Sequence, residues 1–358
     1  MNARLKSPLA RRLMTLAIAG VGVAAFEVLG LPLPWLLGPL IACLIAAFAQ
    51  APLNGLGAVA TPLRTILGVA VGAAITPALF DRIDEMALSM ALAPALALVI
   101  GLIGVPYFHR VWGFDRATAY YGVMPGGLQD MLIFGEEAGG NVRIMSLIHA
   151  TRVLIIVITA PILLTQVYDI ALTAPPGAPA SETPAHEMLI MLACAVIGWK
   201  GGERIGLFGA SILGPLILTA AASLLDVIHH RPPAEAILIA QLSIGVSVGA
   251  HYVGITWAEF RRVVLAAALF TLVIMGLAAI PACIVISLGL AKGASVMLAF
   301  LPGGQAELTV LAIVAGVDVA YVVVHHIFRM TTVIIGAPLA MRWMMKERPA
   351  KTRWRPKR

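Results

Sequence analysis

Two short stretches decide the fold, MPGGLQDM at 124–131 and LPGGQAEL at 301–308. Proline lacks a backbone donor and glycine disfavours helix, so neither stretch suits a continuous helix. Apolar sequence nevertheless flanks both. Irregular backbone at membrane depth is tolerated only against protein or a watery cavity. Each stretch therefore predicts two half-helices that meet at a tip, either as a re-entrant hairpin or as a broken span.

The composition of the chain predicts an all-α integral membrane protein. Of its 358 residues, 60% are hydrophobic and 12% are charged, whereas an average soluble protein has about 25% charged residues. This excludes an ordinary cytosolic enzyme and a disordered protein. Cys43, Cys194 and Cys283 lie in apolar runs without metal-ligand spacing, so we expect no disulfide framework, no metal and no cofactor.

Ten apolar stretches have the character of membrane helices, which need about 20 residues each. They lie near 9–30, 34–50, 58–79, 86–108, 143–168, 186–199, 205–225, 234–252, 262–289 and 317–345. A Pro- and Ala-rich stretch without Lys or Arg divides them, and we interpret 173–182 as a periplasmic linker. Residues 347–358 form a basic tail, which we expect in the cytoplasm.

The chain is an internal duplication, with one repeat at 1–172 and a second at 183–346. Pro125 and Pro302 lie 177 residues apart, and the motif LGPL at 37–40 recurs at 213–216. Further residues obey the same offset, namely Asp130 with Glu307, His149 with His326, Arg152 with Arg329 and Pro161 with Pro338. A near-constant offset across so many features indicates repeated structural units.

The distribution of positive charge favours one topology. Five full helices and one hairpin in each repeat place most loop Lys and Arg residues on the side of both termini, as the positive-inside rule requires. If the broken elements spanned instead, Arg143, Lys200, Arg204, Arg261 and Arg262 would move to the other side. An odd number of crossings makes the two repeats inverted, which is a plan of secondary transporters.

Asp130 and Glu307 fall in the first turn of a half-helix. They either stabilise the helix N-terminus or act as intramembrane acids that bind a proton, a cation or a substrate group. The neighbouring glycines either expose N–H groups to an anion or merely permit the turn; they are Gly126, Gly127, Gly303 and Gly304. Gln129 and Gln305 could orient a polar ligand.

A histidine and an arginine recur at i and i+3 in a long apolar helix of each repeat, as His149 with Arg152 and His326 with Arg329. An intramembrane arginine usually faces the bundle interior with a partner. We therefore hypothesise that Asp130 pairs with Arg152 and Glu307 with Arg329, within or across the halves, either as a structural ion pair or around a ligand. We predict no catalytic residue and no metal ligand.

The two Pro-Gly-Gly stretches and the element WLLGP at 35–39 resemble the bacterial AbrB membrane-protein family over nearly the whole chain. The resemblance implies a protein of the bacterial inner membrane. Members of this family are described either as regulators of gene expression or as ammonia monooxygenases. No cluster of His, Cys or carboxylates has metal-ligand spacing, which argues against the oxygenase. The broken helices are similar to those of cation/proton antiporters and bile-acid-type symporters, by analogy of fold alone.

We expect a secondary transporter or permease for a small polar or anionic solute, coupled to protons through the acids or histidines. The alternative is a membrane regulator that acts indirectly, through solute flux or through a partner that contacts Arg261, Arg262 or the basic tail. In either case the protein is not expected to be an enzyme or to bind nucleic acid directly. The expected partners are the lipid bilayer, the solute and further copies of the chain.

Overall fold

The computed structural model describes residues 7–346 apart from 76, 78–82, 173–174 and 208, with the backbone alone at 83, 85, 129 and 342–346. The basic tail lies outside this part of the chain. The described regular structure is helical throughout. Its helices are α1 Pro8–Val28, α2 Pro34–Phe48, α3 Ala60–Gly72, α4 Ile83–Pro106, α5 Arg116–Val123, α6 Leu128–Glu137, α7 Val142–Gln166, α8 Ala185–Arg204, α9 Ala210–Leu224, α10 Ala234–Ala250, α11 Trp257–Ser287, α12 Gly293–Phe300, α13 Gln305–Val314 and α14 Val319–Lys346.

Five helices in the described part of the chain contain stretches long and apolar enough to cross a membrane. These stretches are Pro8–Val28, Met86–Val111, Val142–Gln166, Trp257–Ser287 and Val319–Met341. Helices α2, α3, α9 and α10 are shorter, with 13 to 17 residues. The chain is therefore an all-helical membrane protein in which short apolar helices pack beside long ones.

The two Pro-Gly-Gly stretches form hairpins. The N–H of Asn141, after α6, donates to Oγ1 of Thr118 at the start of α5, at 2.7 Å. In the second half the N–H of Asp318 donates to Oγ of Ser295 at 3.2 Å, which joins the end of the α12–α13 pair to its beginning. Each half-helix pair thus returns to the end from which it started, and the re-entrant alternative is the one observed.

The helices pack as two bundles, and each bundle contains elements of both sequence halves. The first bundle consists of α1–α3 and α8–α10, and the second of α4–α7 and α11–α14. Within the first bundle, Gly68 of α3 lies against α9, and Gly245 of α10 lies against α2. The packing units therefore differ from the two sequence repeats.

Glycine pairs set the closest helix contacts of the first bundle. Gly22 of α1 faces Gly38 of α2, and Gly198 of α8 faces Gly214 of α9. A Cβ built on any of these four glycines would overlap backbone atoms of the facing helix. Small residues at such crossings let backbones approach closely, which is how helices associate in membranes. Both pairs obey the offset of the sequence repeat.

The linker between the halves is fixed to the start of α10. The N–H of Ala180 donates to Oε2 of Glu235 at 3.0 Å, and the N–H of Ala234 donates to the carbonyl of Ala178 at 2.9 Å. Leu172, at the beginning of this segment, is buried. The linker is therefore attached to the start of α10 at Ala178 and Ala180.

A cluster of Glu187, His229 and His230 joins the beginning of α8 to the loop before α10. The carboxylate of Glu187 is only 3% exposed and accepts hydrogen bonds from the backbone N–H groups of both histidines at 3.0 and 3.1 Å. It also contacts Nδ1 of each ring, at 3.2 and 3.1 Å. Burial by itself would raise the pKa of Glu187, but these hydrogen bonds lower it to about 2. The contact with Glu187 raises the pKa of His229 above its ordinary 6.5.

We expect this cluster to make stability depend on pH. The depressed pKa of Glu187 contributes stability above its ordinary value of 4.5, and this contribution is lost as the pH falls toward 2. The raised pKa of His229 contributes stability below 6.5, and this is lost as the pH rises through the raised value. The thermal unfolding midpoint of the wild type should therefore decrease as the pH is raised from about 5.5 to about 8. Glu187→Gln should flatten this slope, and parallel curves for the two proteins would contradict the assignment.

Candidate functional site

The tips of the two hairpins meet at a cavity of about 430 Å³ between the bundles. The second bundle contributes the tips and the middle of α7 and α14, and the first contributes α3, α9 and α10. Among the predicted site residues the cavity wall contains Gly126, Gly127, Asp130, His149, Arg152, Gly303, Gly304, Gln305, Glu307 and Arg329. One cavity thus brings together equivalent residues of the two sequence halves.

Glycine begins the second half-helix of each hairpin. Gly127 precedes α6 and Gly304 precedes α13, both in extended conformation, and no side chain caps either helix. The carboxylate of Asp130 lies directly against Gly127, and that of Glu307 against Gly304. Both acids therefore curl back over the positive end of the half-helix that carries them.

Arg152 and His149 fasten α7 to the first hairpin. The guanidinium donates to the carbonyls of Val123 and Met124 at 3.2 and 3.4 Å, and its other terminal nitrogen contacts Nδ1 of His149 at 2.9 Å. Nε2 of His149 lies 2.9 Å from the carbonyl of Tyr121. Because arginine only donates and a carbonyl only accepts, this geometry assigns a neutral imidazole with its proton on Nε2.

The second half repeats this arrangement on α14. Arg329 donates to the carbonyl of Leu301 at 3.1 Å, and Nε2 of His326 lies 2.9 Å from the carbonyl of Leu298. His326, which does not line the cavity, is completely buried. These histidines and arginines therefore attach α7 and α14 to the two hairpins.

The predicted ion pairs between acids and arginines are wrong. Among the described side chains, no salt bridge joins Asp130 to Arg152 or Glu307 to Arg329. The guanidinium groups instead bind carbonyls at the C-terminal end of α5 and α12. Those carbonyls have no partner within the helix and carry negative partial charge, so they compete effectively for a buried cation.

The cavity contains more cationic than anionic groups. Arg64, Arg152 and Arg329 line it together with two acids, Asp130 and Glu307. Arg152 and Arg329 are 5% and 2% exposed, and Nε of each has no hydrogen-bond partner in the described part of the chain. Nε2 of Gln305 is also buried without a partner. Such buried donors gain most from an acceptor that carries negative charge.

Two charged or titratable residues of the cavity wall were not among the predicted site residues. Arg64 of α3 and His251 after α10 line it from the first bundle. In the sequence these two positions differ between the repeats, since Arg64 corresponds to Gln241 and His251 to Ala74. The side chain of Gln129, which was predicted for the site, lies outside the described part.

The described residues contain no group of three or more His, Cys, Asp or Glu side chains that could hold a metal ion. The geometry of this cavity therefore offers donors for an anion and no recognisable metal centre among the side chains that are described.

Comparisons with known proteins agree with the resemblance in the sequence. A protein of Bacillus subtilis (strain 168), described as uncharacterized protein YhjN, is 24% identical over 353 residues, with 92% of each chain covered. The model of a family described as Transition state regulatory protein AbrB matches residues 35–345, which include both hairpins and the cavity between them. The chain belongs to the AbrB family of membrane proteins.

Proposed function

We propose that the protein is a secondary transporter that carries a small anion, a carboxylate or an oxyanion, across the bacterial inner membrane. The observation that supports this most is the cavity at the two tips, where three arginines meet two acids and no ion pair joins them among the described side chains. The planar guanidinium group of arginine can donate two parallel hydrogen bonds, which match the geometry of a carboxylate or an oxyanion. The N-termini of α6 and α13, where Gly127 and Gly304 line the cavity, add two further sites of positive potential.

Part of this proposal is that the two halves are inverted repeats. Helices α4 and α11 correspond by the sequence offset, and they run antiparallel. The hydroxyl of Tyr107, just after α4, donates to the carbonyl of Ala266 near the start of α11, at 3.0 Å. Arg262 likewise donates to the carbonyl of Trp112 at 3.1 Å. Opposite directions for equivalent helices are what an inverted repeat requires.

In the proposed topology the cavity opens toward the cytoplasm. It extends to Gly209 before α9 and to His251 after α10. The loop after α10 contacts the end of α2 through Gln50, whose side chain donates to the carbonyl of Ile255 at 3.0 Å. The N–H of Asn54, in the same α2–α3 connection, donates to Oγ1 of Thr15 near the beginning of α1. The beginning of α1 therefore lies at this end of the protein, which the charge distribution assigns to the cytoplasm.

A regulatory role, as the family description has it, would follow indirectly if the transported solute affects gene expression. No contact in the described chain favours direct regulation over flux. Transport is therefore the function that we propose on the basis of the cavity.

Arg64→Gln is expected to weaken anion binding about tenfold, because a half-buried positive charge near the site is removed. The fold should tolerate the change, since Gln241 occupies the equivalent place in the other half. Binding is measured as the shift of the thermal unfolding midpoint with increasing acetate, succinate, sulfate or phosphate, and transport as uptake into proteoliposomes.

The matched control for this variant is Arg204→Gln, which removes the same charge from an exposed position at the end of α8. The control should bind like the wild type. Equal binding by Arg64→Gln and the wild type would exclude the cavity as the anion site. An absence of stabilisation by every anion in the wild type would count against transport of this class of solute.

A further inference from the structure

The two acids at the hairpin tips occupy the places where an anion would bind. The carboxylate of Asp130 lies against Gly127 and that of Glu307 against Gly304, so each covers the N-terminus of its own half-helix. A helix N-terminus with free N–H groups is an anion site, and here the protein supplies the anion itself. Helices α6 and α13 have 10 residues each, long enough for this potential to develop.

A second observation, independent of the helix ends, is a pair of buried arginines at the same cavity. Arg152 and Arg329 are almost completely buried, line the same cavity, and each keeps an Nε donor without a partner. The acids of the tips do not pair with them among the described residues. Buried donors without partners destabilise a protein, and a bound carboxylate or oxyanion would satisfy them.

We propose that Asp130 and Glu307 couple anion transport to protons by competing with the substrate for the half-helix N-termini. An ionised carboxylate excludes the substrate from its tip. When it takes a proton from water it becomes a neutral carboxylic acid, loses its attraction to the helix end and admits the anion. Release of the anion on the other side lets the acid return its proton to water there. This inference rests on the proposed function and adds the coupling ion and its residues.

The other charged and titratable groups that face the acids come from each neighbouring helix. Arg152 and His149 belong to α7, Arg329 to α14, Arg64 to α3 and His251 to the end of α10. The arginines remain charged, and His149 is held neutral by its two hydrogen bonds. His251 is exposed, and its Nδ1 lies 2.6 Å from the carbonyl of Ser247. It is thus the other group that could take up a proton, and the experiment includes it.

The test measures protons taken up when an anion binds. The full-length protein in detergent is titrated with succinate and, separately, with sulfate in buffers of different ionisation enthalpy. For the wild type we expect about one proton per bound anion and an affinity that falls about tenfold for each unit of rising pH. The isosteric variants Asp130→Asn and Glu307→Gln keep an acceptor for the helix N-terminus but cannot ionise. The double variant should bind the same anions without proton uptake and without this pH dependence.

Two controls separate the acids from other groups. Glu136→Gln removes an exposed carboxylate from the same helix as Asp130 and should leave proton uptake unchanged. His251→Gln should also retain it, and a loss in that variant would transfer coupling to the histidine and overturn the proposal.

Each remaining outcome decides one of the two hypotheses. Anion binding by the wild type without proton uptake would overturn the coupling while the transport of anions would stand. Loss of binding in a folded Asp130→Asn or Glu307→Gln variant would also overturn it, because the acids would then be ligands. If neither anion binds to the wild type or to the double variant, the proposed function fails together with the coupling.

Discussion

Arg329→Gln is expected to lower the rate of anion uptake about a hundredfold at limiting substrate, the effect of losing one buried charge-assisted contact with the anion. The variant loses the positive charge at the second tip and weakens the hydrogen bond to the carbonyl of Leu301. Initial rates in proteoliposomes measure the first effect. The thermal unfolding midpoint measures the second, so that loss of folded protein is not mistaken for loss of transport.

The matched variants follow from the duplication. Arg152→Gln removes the equivalent charge at the first tip and should reduce uptake to a similar extent. Arg329→Lys keeps the charge but loses the planar fork, so it should recover part of the rate. Wild-type uptake by a folded Arg329→Gln would show that the anion does not approach this guanidinium, and it would remove the main support for the site.

The hairpins and their meeting at one cavity could be predicted from the sequence because local backbone chemistry determines them. A proline followed by two glycines interrupts a helix, and the duplication gives one such stretch in each half of the chain. The same offset places His149 and His326 in equivalent contacts with the carbonyls of Tyr121 and Leu298. Features that depend on local backbone conformation and on the duplication can thus be predicted from one sequence.

The partners of the buried arginines could not be predicted in this way. The spacing in the sequence predicted Asp130 as the ion-pair partner of Arg152, since opposite charges attract strongly inside a membrane. In the structure the acid bends toward its own helix N-terminus, and the arginine reaches the carbonyls of Val123 and Met124 instead. The choice between a carboxylate and a helix end depends on a few ångströms of three-dimensional geometry. Arg64 was not placed among the predicted site residues for a related reason, because it approaches the tips from another bundle.

The division into two bundles of mixed origin also lies beyond the reach of local patterns. It depends on which helix surfaces meet over more than 100 positions of sequence, as Gly68 and α9 do. Glycines in the sequence indicate that some helices approach closely, but they do not say which ones. The helix pairs that meet through Gly22 and Gly198 are adjacent in sequence, and these contacts give the sharpest test of the fold.

Gly198→Ala is expected to destabilise the protein by about 3 kcal/mol or more, since a methyl group would overlap the backbone of Gly214 and force α8 away from α9. Gly201, one turn later on α8, has no atom within 4 Å of its Cβ position. Gly201→Ala should therefore be neutral or stabilising by up to about 1 kcal/mol through helix propensity. Unfolding in mixed micelles with increasing denaturing detergent measures both variants in the same background.

The first half supplies an independent copy of this experiment. Gly22 faces Gly38 as Gly198 faces Gly214, whereas Gly20 has open space around its Cβ position. Gly22→Ala should be strongly destabilising and Gly20→Ala should not. Because the two members of each comparison lie on one helix and undergo the same chemical change, their difference isolates the contact between helices. If Gly198→Ala and Gly22→Ala were as stable as their controls, the close packing of α8 on α9 and of α1 on α2 would be refuted, and with it the first bundle that forms one wall of the cavity.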